Sequence, residues 1–225
     1  MKSGDVPLFP ALEMYITETL SEIDRIPEER RQRLDALAHY VAVRSRSGQV
    51  AELTFICTHN SRRSHLSQLW AQTAAHFFNV DGVATFSGGT EATAFNPRAV
   101  AAVERAGFAV EVLAEGDNPV YGVKYVDDME PMECFSKIYD QPPNPNHGFA
   151  AVMTCSEADA ACPIVFGADH RIAIPFEDPK AFDGTESEAE KYDERCRQIA
   201  REMLCAFSRV NVAGPGRDGP DREQM

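Results

Sequence analysis

Apolar residues recur at helical spacing over two segments near the start of the chain, 8–23 and 27–43. This spacing is typical of helices with one buried face. The second segment opens with Pro27-Glu28-Glu29, a good helix start because proline fits the first turn and acidic side chains suit the positive end of the helix dipole. We therefore predict two helices that form an N-terminal extension over 1–48, joined to the rest of the chain by the polar segment 45–48.

Beyond this extension, short apolar runs alternate with helical segments. The runs that predict buried strands are residues 53–57, 83–86, 149–154 and 171–176. The segments with helical spacing are residues 66–78, 97–106 and 185–207. The last of these has Thr185 and Glu188 at the positions of a capping box. Because strands that alternate with helices indicate crossover connections, we predict an α/β fold, a doubly wound three-layer domain over 49–210 with a central four-stranded parallel sheet.

Two further regions carry turn-forming residues without helical or strand spacing. Residues 140–148, with the sequence DQPPNPNHG, predict a loop that is inserted before the strand at 149. Residues 211–225 are rich in glycine, proline and charge, and we expect this tail to be disordered because it offers little apolar surface to bury.

Composition and charge exclude several classes of protein. The chain has 225 residues, 44% hydrophobic and 25% charged, as expected for a soluble domain. Its net charge of -13 disfavours binding to nucleic acid or to a membrane surface, both of which need basic patches. No run approaches the roughly 18 apolar residues of a membrane span, and the N-terminus does not resemble a signal peptide. Six unevenly spaced cysteines favour free thiols in a cytoplasmic, reducing environment.

The strongest chemical signal is the loop Cys57-Thr58-His59-Asn60-Ser61-Arg62-Arg63-Ser64, which lies between the best predicted strand and a helix. In that context the loop amides and the helix start converge on one point and form an anion site. Arg63 adds a planar fork for two oxygens of a tetrahedral oxyanion. Cys57 at the strand end would have its thiolate stabilised by these donors, so the loop predicts a nucleophile aimed at a bound oxyanion. The residues expected to bind the oxyanion are Thr58, His59, Asn60, Ser61, Arg62 and Arg63.

The segment FICTHNSRRSHLSQLW resembles the active loop of the low-molecular-weight protein tyrosine phosphatase superfamily, which includes the thioredoxin-coupled arsenate reductases. The segments 86–91 and 96–99 are similar to the second strand and following helix start of that superfamily, and Phe176-Glu177-Asp178-Pro179 resembles its Asp-Pro loop. The resemblance covers roughly residues 52–207, and 117–148 is longer than the family pattern.

The resemblance implies a role for each matching residue. It makes Cys57 the nucleophile, Arg63 the oxyanion ligand and Ser64 the group that steadies the thiolate. Asn60 would hold the loop in shape, and Asp178 would protonate the leaving oxygen. General chemistry agrees with the last role, since thiolate attack on an oxyanion needs an acid close to the leaving group.

A second segment separates two reaction classes that share this loop. The residues from Val152 to Pro163, VMTCSEADAACP, closely resemble the redox segment of the thioredoxin-coupled arsenate reductases. There a second thiol, here Cys155, attacks the cysteine–arsenate adduct, and a third, here Cys162, receives the disulfide that thioredoxin reduces. A hydrolase needs only one cysteine. The alternative is that Cys155 and Cys162 are small core residues, as we expect for Cys134, Cys196 and Cys205.

The chain also departs from the family pattern at three positions. His59 replaces the usual glycine of the reductase loop, and Arg62 replaces a cysteine, adding positive potential near the anion. Gln68 stands where some reductases have an acid that contributes to a potassium site, which disfavours dependence on that ion. We expect no metal and no cofactor.

These observations favour a cytoplasmic thiol-dependent arsenate reductase that uses a thioredoxin-like reductant. The alternative is a low-molecular-weight protein tyrosine phosphatase that hydrolyses phosphotyrosine or aryl phosphate through a cysteinyl-phosphate. A non-catalytic module that binds oxyanions or phosphopeptides is less favoured, because all the catalytic residue types occur together.

Overall fold

Helices and strands alternate through most of the chain, as the spacing of apolar residues predicts. A computed structural model describes residues 6–161 and 164–210, so the predicted disordered tail and Cys162 lie outside the described residues. The helices are α1 (Pro10–Leu20), α2 (Glu28–Arg46), α3 (Arg63–Phe77), α4 (Pro97–Arg105), α5 (Ser156–Ala161) and α6 (Glu188–Ser208). Short 3₁₀ turns occupy Ile23–Arg25 and Pro179–Phe182.

The strands form two separate sheets. They are β1 (Ala51–Cys57), β2 (Val83–Gly89), β3 (Ala109–Ala114), β4 (Val120–Lys124), β5 (Met132–Cys134), β6 (Phe149–Met153) and β7 (Ala168–Ala173). Four of them form a sheet in the order β2-β1-β6-β7, and every neighbouring pair is parallel. This confirms the predicted α/β fold with a central four-stranded parallel sheet.

The register of this sheet fixes where the chemistry can lie. Cys57 at the end of β1 pairs with Gly89 at the end of β2, and Ile56 pairs with Met153 of β6. The carboxyl ends of the three strands therefore meet at one edge of the sheet. Because ligands of open α/β sheets bind outside this edge, the loop after Cys57 and the residues after Met153 share the expected location.

The two faces of the sheet are covered unequally. One face, with Leu53 and Phe55, joins the main core, to which α1, α2, α3, α4 and α6 contribute fully buried side chains. The other face, with Ile56 and Met153, is covered by α5 and by Val165. Alternate residues of β1 thus point to opposite layers, which is the reason that every residue of this strand except Glu52 is buried.

The N-terminal helices pack on the main core. Leu12 and Ile16 of α1 and Leu34 and Leu37 of α2 are fully buried, and both helices contact α6. Each such side chain contributes about 1.5–3 kcal/mol when it leaves water, so the extension adds to the stability of the same core. A domain boundary near residue 48 stays a prediction.

The structure corrects three details of the sequence analysis. The last strand of the parallel sheet runs from Ala168 to Ala173 instead of 171–176. The predicted capping box is wrong, because the Glu188 carboxylate accepts from the Gly184 amide and the Thr185 hydroxyl donates to the Phe182 carbonyl. The last helix therefore begins at Glu188.

The antiparallel sheet β3-β4-β5 was not predicted. Its strand β3 is exposed along almost its whole length, so its sequence lacks the regular alternation that a half-buried strand shows. Strand β5 has only three residues. Strands β4 and β5 lie within 117–148, the region that the resemblance predicts to be longer than usual, and β3 precedes it.

Candidate active site

The loop between β1 and α3 encloses the Cys57 sulfur. Cys57 is buried, and its Sγ atom lies 3.1 Å from the Ser64 hydroxyl at the start of α3. This hydroxyl can donate a hydrogen bond to a thiolate, which is the contact expected of a group that steadies the nucleophile. The strand, the loop and the helix that hold these two atoms are contiguous in sequence.

Asn60 determines the shape of the loop. Its backbone has a φ of +43°, a left-handed conformation that asparagine tolerates better than most residues. Its side-chain amide donates to the Ser64 hydroxyl at 2.9 Å, and its carbonyl accepts from the Lys137 amide at 2.9 Å. The fully buried Asn60 side chain therefore orients the hydroxyl that contacts Cys57 and ties the loop to a distant segment.

The loop carbonyls are turned away from the enclosed space. The Cys57 and Thr58 carbonyls accept hydrogen bonds from the amides of Thr90 and Glu91, which follow β2. Because the N–H and C=O of a trans peptide point in opposite directions, this arrangement turns the corresponding loop amides toward the interior of the loop. Successive amides pointing inward form a concave site for an anion.

Arg63 contributes a buried guanidinium group to the same space. One terminal nitrogen donates to the Phe176 carbonyl at 3.0 Å, and the other donates to the Asp178 carboxylate at 2.7 Å. The buried Nε of Arg63 has no hydrogen-bond partner among the described residues. A buried donor without a partner is costly, and an oxyanion bound in the loop would satisfy it.

Asp178 lies at the mouth of the site. One carboxylate oxygen contacts Arg63, and the other accepts from the Lys180 amide at 3.0 Å, so Asp178 caps the 3₁₀ turn Pro179–Phe182. Its side chain is 30% exposed, which leaves it accessible to a bound molecule. A second carboxylate, that of Glu157 in α5, approaches Arg63 to 3.8 Å.

Cys155 lies directly beside the loop. Its sulfur is 3.5 Å from the Thr58 hydroxyl and accepts from the Ala158 amide at 3.3 Å. Burial raises the pKa of the Cys155 thiol, and the Thr58 hydroxyl opposes that shift. Two of the cysteines that the sequence analysis singled out, Cys57 and Cys155, are thus brought together, while Cys162 lies outside the described residues. The five described cysteines are all buried free thiols.

The remaining predicted loop residues face different surroundings. The His59 side chain is 45% exposed and lies 3.6 Å from the Glu91 carboxylate, at the rim of the site. Ser61 is buried within the loop. The Arg62 side chain is directed to Tyr192, to whose hydroxyl its Nε donates at 2.8 Å, and to Asp183 at 3.4 Å. Its charge is therefore paired with a carboxylate.

Sequence reasoning missed several residues that support the loop. Tyr192 and Asp183 contact Arg62, and the buried Lys137 holds Asn60 through its backbone. Burial lowers the pKa of Lys137 to about 8 and also holds the pKa of the fully buried His65 well below its usual value. His65 lies in the quoted loop segment, whereas Tyr192, Asp183 and Lys137 lie in no recognisable motif, so only the folded chain reveals these three.

Comparison with known proteins decides the family. The chain is 30% identical over 155 residues to a curated protein named arsenate reductase from Bacillus licheniformis. The matched region covers 68% of this chain and 92% of that relative. The chain belongs to the low-molecular-weight protein tyrosine phosphatase superfamily, in its arsenate reductase branch. It is therefore an enzyme of the arsenate reductase or low-molecular-weight tyrosine phosphatase type.

One solved structure supports the fold of the superfamily. A low-molecular-weight phosphotyrosine phosphatase from Vibrio cholerae aligns with a TM-score of 0.50 at 12% identity, covering 73% of this chain and 99% of that one. A low-molecular-weight protein tyrosine phosphatase from T. tengcongensis aligns with a TM-score of 0.48 at 14% identity, covering 71% and 99%. No family model matches the chain. Among the described residues, no helix is long and apolar enough to cross a membrane.

Proposed function

We propose that this enzyme reduces arsenate to arsenite by thiol chemistry, with Cys57 as the nucleophile. The Cys57 thiolate attacks arsenate bound in the loop and forms a sulfur–arsenic bond. Hydroxide leaves the arsenic and is protonated to water, a step in which Asp178 acts as the acid. The buried Nε of Arg63, which lacks a hydrogen-bond partner within residues 6–161 and 164–210, supports this binding mode, as do the outward-bonded carbonyls of Cys57 and Thr58.

The reduction itself needs a second thiol. The Cys155 thiolate attacks the sulfur of Cys57, the sulfur–arsenic bond breaks, and its electron pair remains on arsenic, which leaves as arsenite. Cys162 then attacks Cys155, which releases Cys57 as a thiolate and leaves a Cys155–Cys162 disulfide. A thioredoxin-like dithiol protein reduces this disulfide and completes the cycle.

The observation that carries the proposal is the buried Cys155 thiol, in contact with the Thr58 hydroxyl of the loop. Hydrolysis needs only one thiol, whereas reduction needs a second thiol close to the first. The relative from Bacillus licheniformis that is named arsenate reductase supports the same conclusion.

A second candidate is the hydrolysis of phosphotyrosine or aryl phosphate. It is favoured by the partly exposed Asp178 carboxylate 2.7 Å from Arg63, where it could protonate an aryl leaving group. In that reaction Cys57 forms a cysteinyl-phosphate, which water hydrolyses. Asp178→Asn should then lower hydrolysis by roughly 10²–10⁴-fold.

Side-by-side assays test the two candidates. Arsenate reduction is measured with thioredoxin, its reductase and NADPH, and hydrolysis is measured with 4-nitrophenyl phosphate. Cys57→Ser should abolish both activities while phosphate still binds. Arg63→Lys should also abolish both activities, because the lysine ammonium is a point charge that cannot contact two oxygens in one plane. Cys205→Ser removes a buried thiol of the last helix and is the matched control.

The other two cysteines distinguish reduction from hydrolysis. Cys155→Ser should form the adduct without releasing arsenite, and Cys162→Ser should release one arsenite per chain and then stop. Peptide mapping after turnover of the wild-type chain should find the Cys155–Cys162 disulfide. If the wild type does not reduce arsenate and both variants hydrolyse aryl phosphate normally, the phosphatase function is the correct one.

A further inference from the structure

Arg62 occupies a position where three parts of the chain meet. It is the last residue before α3, and its side chain is only 10% exposed. Its Nε donates to the Tyr192 hydroxyl of α6 at 2.8 Å, and a terminal nitrogen lies 3.4 Å from Asp183. The Tyr192 hydroxyl in turn donates to the other Asp183 oxygen at 2.7 Å. Arg62, Tyr192 and the partly exposed Asp183 thus contact one another, and we term these three residues the Arg62 cluster. Arg98 lies 3.9 Å from Asp183 at its edge.

The Arg62 cluster holds one end of the turn that carries the candidate acid. Asp178 caps the beginning of the 3₁₀ turn Pro179–Phe182, and Asp183 follows its end. Arg63 binds the first of these carboxylates at 2.7 Å. Arg62 binds the second at 3.4 Å, and its Nε also lies 3.9 Å from the first. Arg62 and Arg63 therefore connect the two ends of the turn 179–182 to the loop that encloses Cys57.

A bound oxyanion should affect the Arg63–Asp178 contact and the Arg62–Asp183 contact differently. Arg63 is the oxyanion ligand of the proposed function, so a bound oxyanion competes for the nitrogen that holds Asp178. The Arg62 guanidinium donates to Tyr192 and Asp183, and we expect these contacts to persist when the anion binds. Tyr192 is fully buried, and the pKa of its hydroxyl is raised to about 12, so it stays a hydrogen-bond donor to Asp183.

We propose that Arg62 and Tyr192 are positioning residues, which hold the turn 179–182 through Asp183 and thereby place Asp178 over the bound oxyanion. This inference rests on the proposed function, in which Asp178 supplies a proton to the leaving oxygen. It explains why a cationic side chain at position 62 points away from the anion.

The sharpest test is Tyr192→Phe, which removes one hydroxyl and keeps the ring. Its matched control is Tyr40→Phe, because the Tyr40 hydroxyl is likewise a hydrogen-bond donor but donates to the Gly148 carbonyl before β6, at the opposite edge of the sheet from the loop. Tyr192→Phe should lower kcat about tenfold for phenyl phosphate, a poor leaving group, and less than threefold for 2,4-dinitrophenyl phosphate. KM should stay within twofold for both, and Tyr40→Phe should change neither constant.

A double-variant cycle separates positioning from a general structural effect. In the Asp178→Asn background, Tyr192→Phe should cost no further activity, in arsenate reduction or in hydrolysis, because the group it positions is gone. Arg62→Met should behave in the same way. A loss that is equal for both leaving groups, or that adds fully to that of Asp178→Asn, would overturn the inference.

Amide hydrogen exchange tests the contact between Tyr192 and Asp183 without measuring enzyme activity. Peptides covering 177–187 should exchange faster in Tyr192→Phe than in the wild type or in Tyr40→Phe, and unchanged exchange would contradict the positioning role. If the wild type performs neither reaction, the proposed function fails, and exchange alone decides whether the Arg62 cluster holds the turn. If Asp178→Asn slows turnover and Tyr192→Phe does not, only the present inference fails.

Discussion

Gly89 is the last residue of β2 and pairs with Cys57. The substitution Gly89→Ala adds one methyl group there and tests whether activity depends on the shape of the loop from Cys57 to Ser64. A Cβ atom on Gly89 would lie 2.2 Å from the Glu91 carbonyl oxygen, 2.7 Å from the Asn60 nitrogen and 2.7 Å from the Thr58 oxygen. All three are backbone atoms, so no side-chain rotation relieves the contact. Ordinary contact begins at 3.4 Å, and the loop or the segment after β2 must therefore move by about 1 Å.

Such a movement should affect activity more than stability. Gly89→Ala should lower kcat/KM by about 100-fold, because a misplacement of about 1 Å at a preorganised site has an effect of that size. Overpacking should lower the free energy of unfolding by about 1–3 kcal/mol, which leaves the chain folded. Turnover of arsenate and of 4-nitrophenyl phosphate measures the first quantity, urea denaturation measures the second, and calorimetry measures the loss of phosphate affinity.

Gly122→Ala in β4 is the matched control. Its Cβ would meet the side chains of Leu113, Pro131 and Glu111 at 3.1–3.2 Å, so a shift of only a few tenths of an ångström relieves the contact. Gly122→Ala should lower stability slightly and leave kcat/KM and phosphate affinity unchanged. The steric argument is refuted if Gly89→Ala turns over within twofold of Gly122→Ala.

Two pH-dependent predictions follow from buried groups. Burial raises the pKa of Cys155, so the arsenite-releasing step should become about tenfold faster per pH unit from pH 7 to 9. Thr58→Val removes the hydroxyl that opposes this shift and should slow the step about three- to tenfold. Single-turnover assays of arsenite release measure both effects, and a rate independent of pH would contradict the prediction. Burial lowers the pKa of Lys137 to about 8, so the folded chain binds this proton less tightly than the unfolded chain, and stability is lost as pH falls from 10.5 to 8. Lys137→Met should therefore raise the free energy of unfolding by up to about 3 kcal/mol at pH 7 and by much less at pH 10, and an equal gain at both pH values in urea denaturation would count against it.

The sequence by itself determined the parallel sheet and the loop that follows its first strand. Both depend on contiguous residues, since the spacing of apolar side chains reports which face of a helix or strand is buried. The loop from Cys57 to Ser64 is also local, because one strand end, one turn and one helix start supply its thiol, its amides and its guanidinium. A pattern of eight adjacent residues was enough to predict an oxyanion site there.

Only the tertiary structure decided which distant side chains surround that loop. Tyr192 lies 130 positions after Arg62 in the chain, and it reaches the Arg62 guanidinium because α6 packs against α3. Lys137 donates to Asn60 through its backbone amide. Almost every residue type has such an amide, so the sequence does not indicate this contact. The direction of the Arg62 side chain depends on the carboxylate of Asp183, whose position the local sequence does not encode. Residue spacing determines the buried face of each element, whereas contacts between elements depend on how those faces pack together.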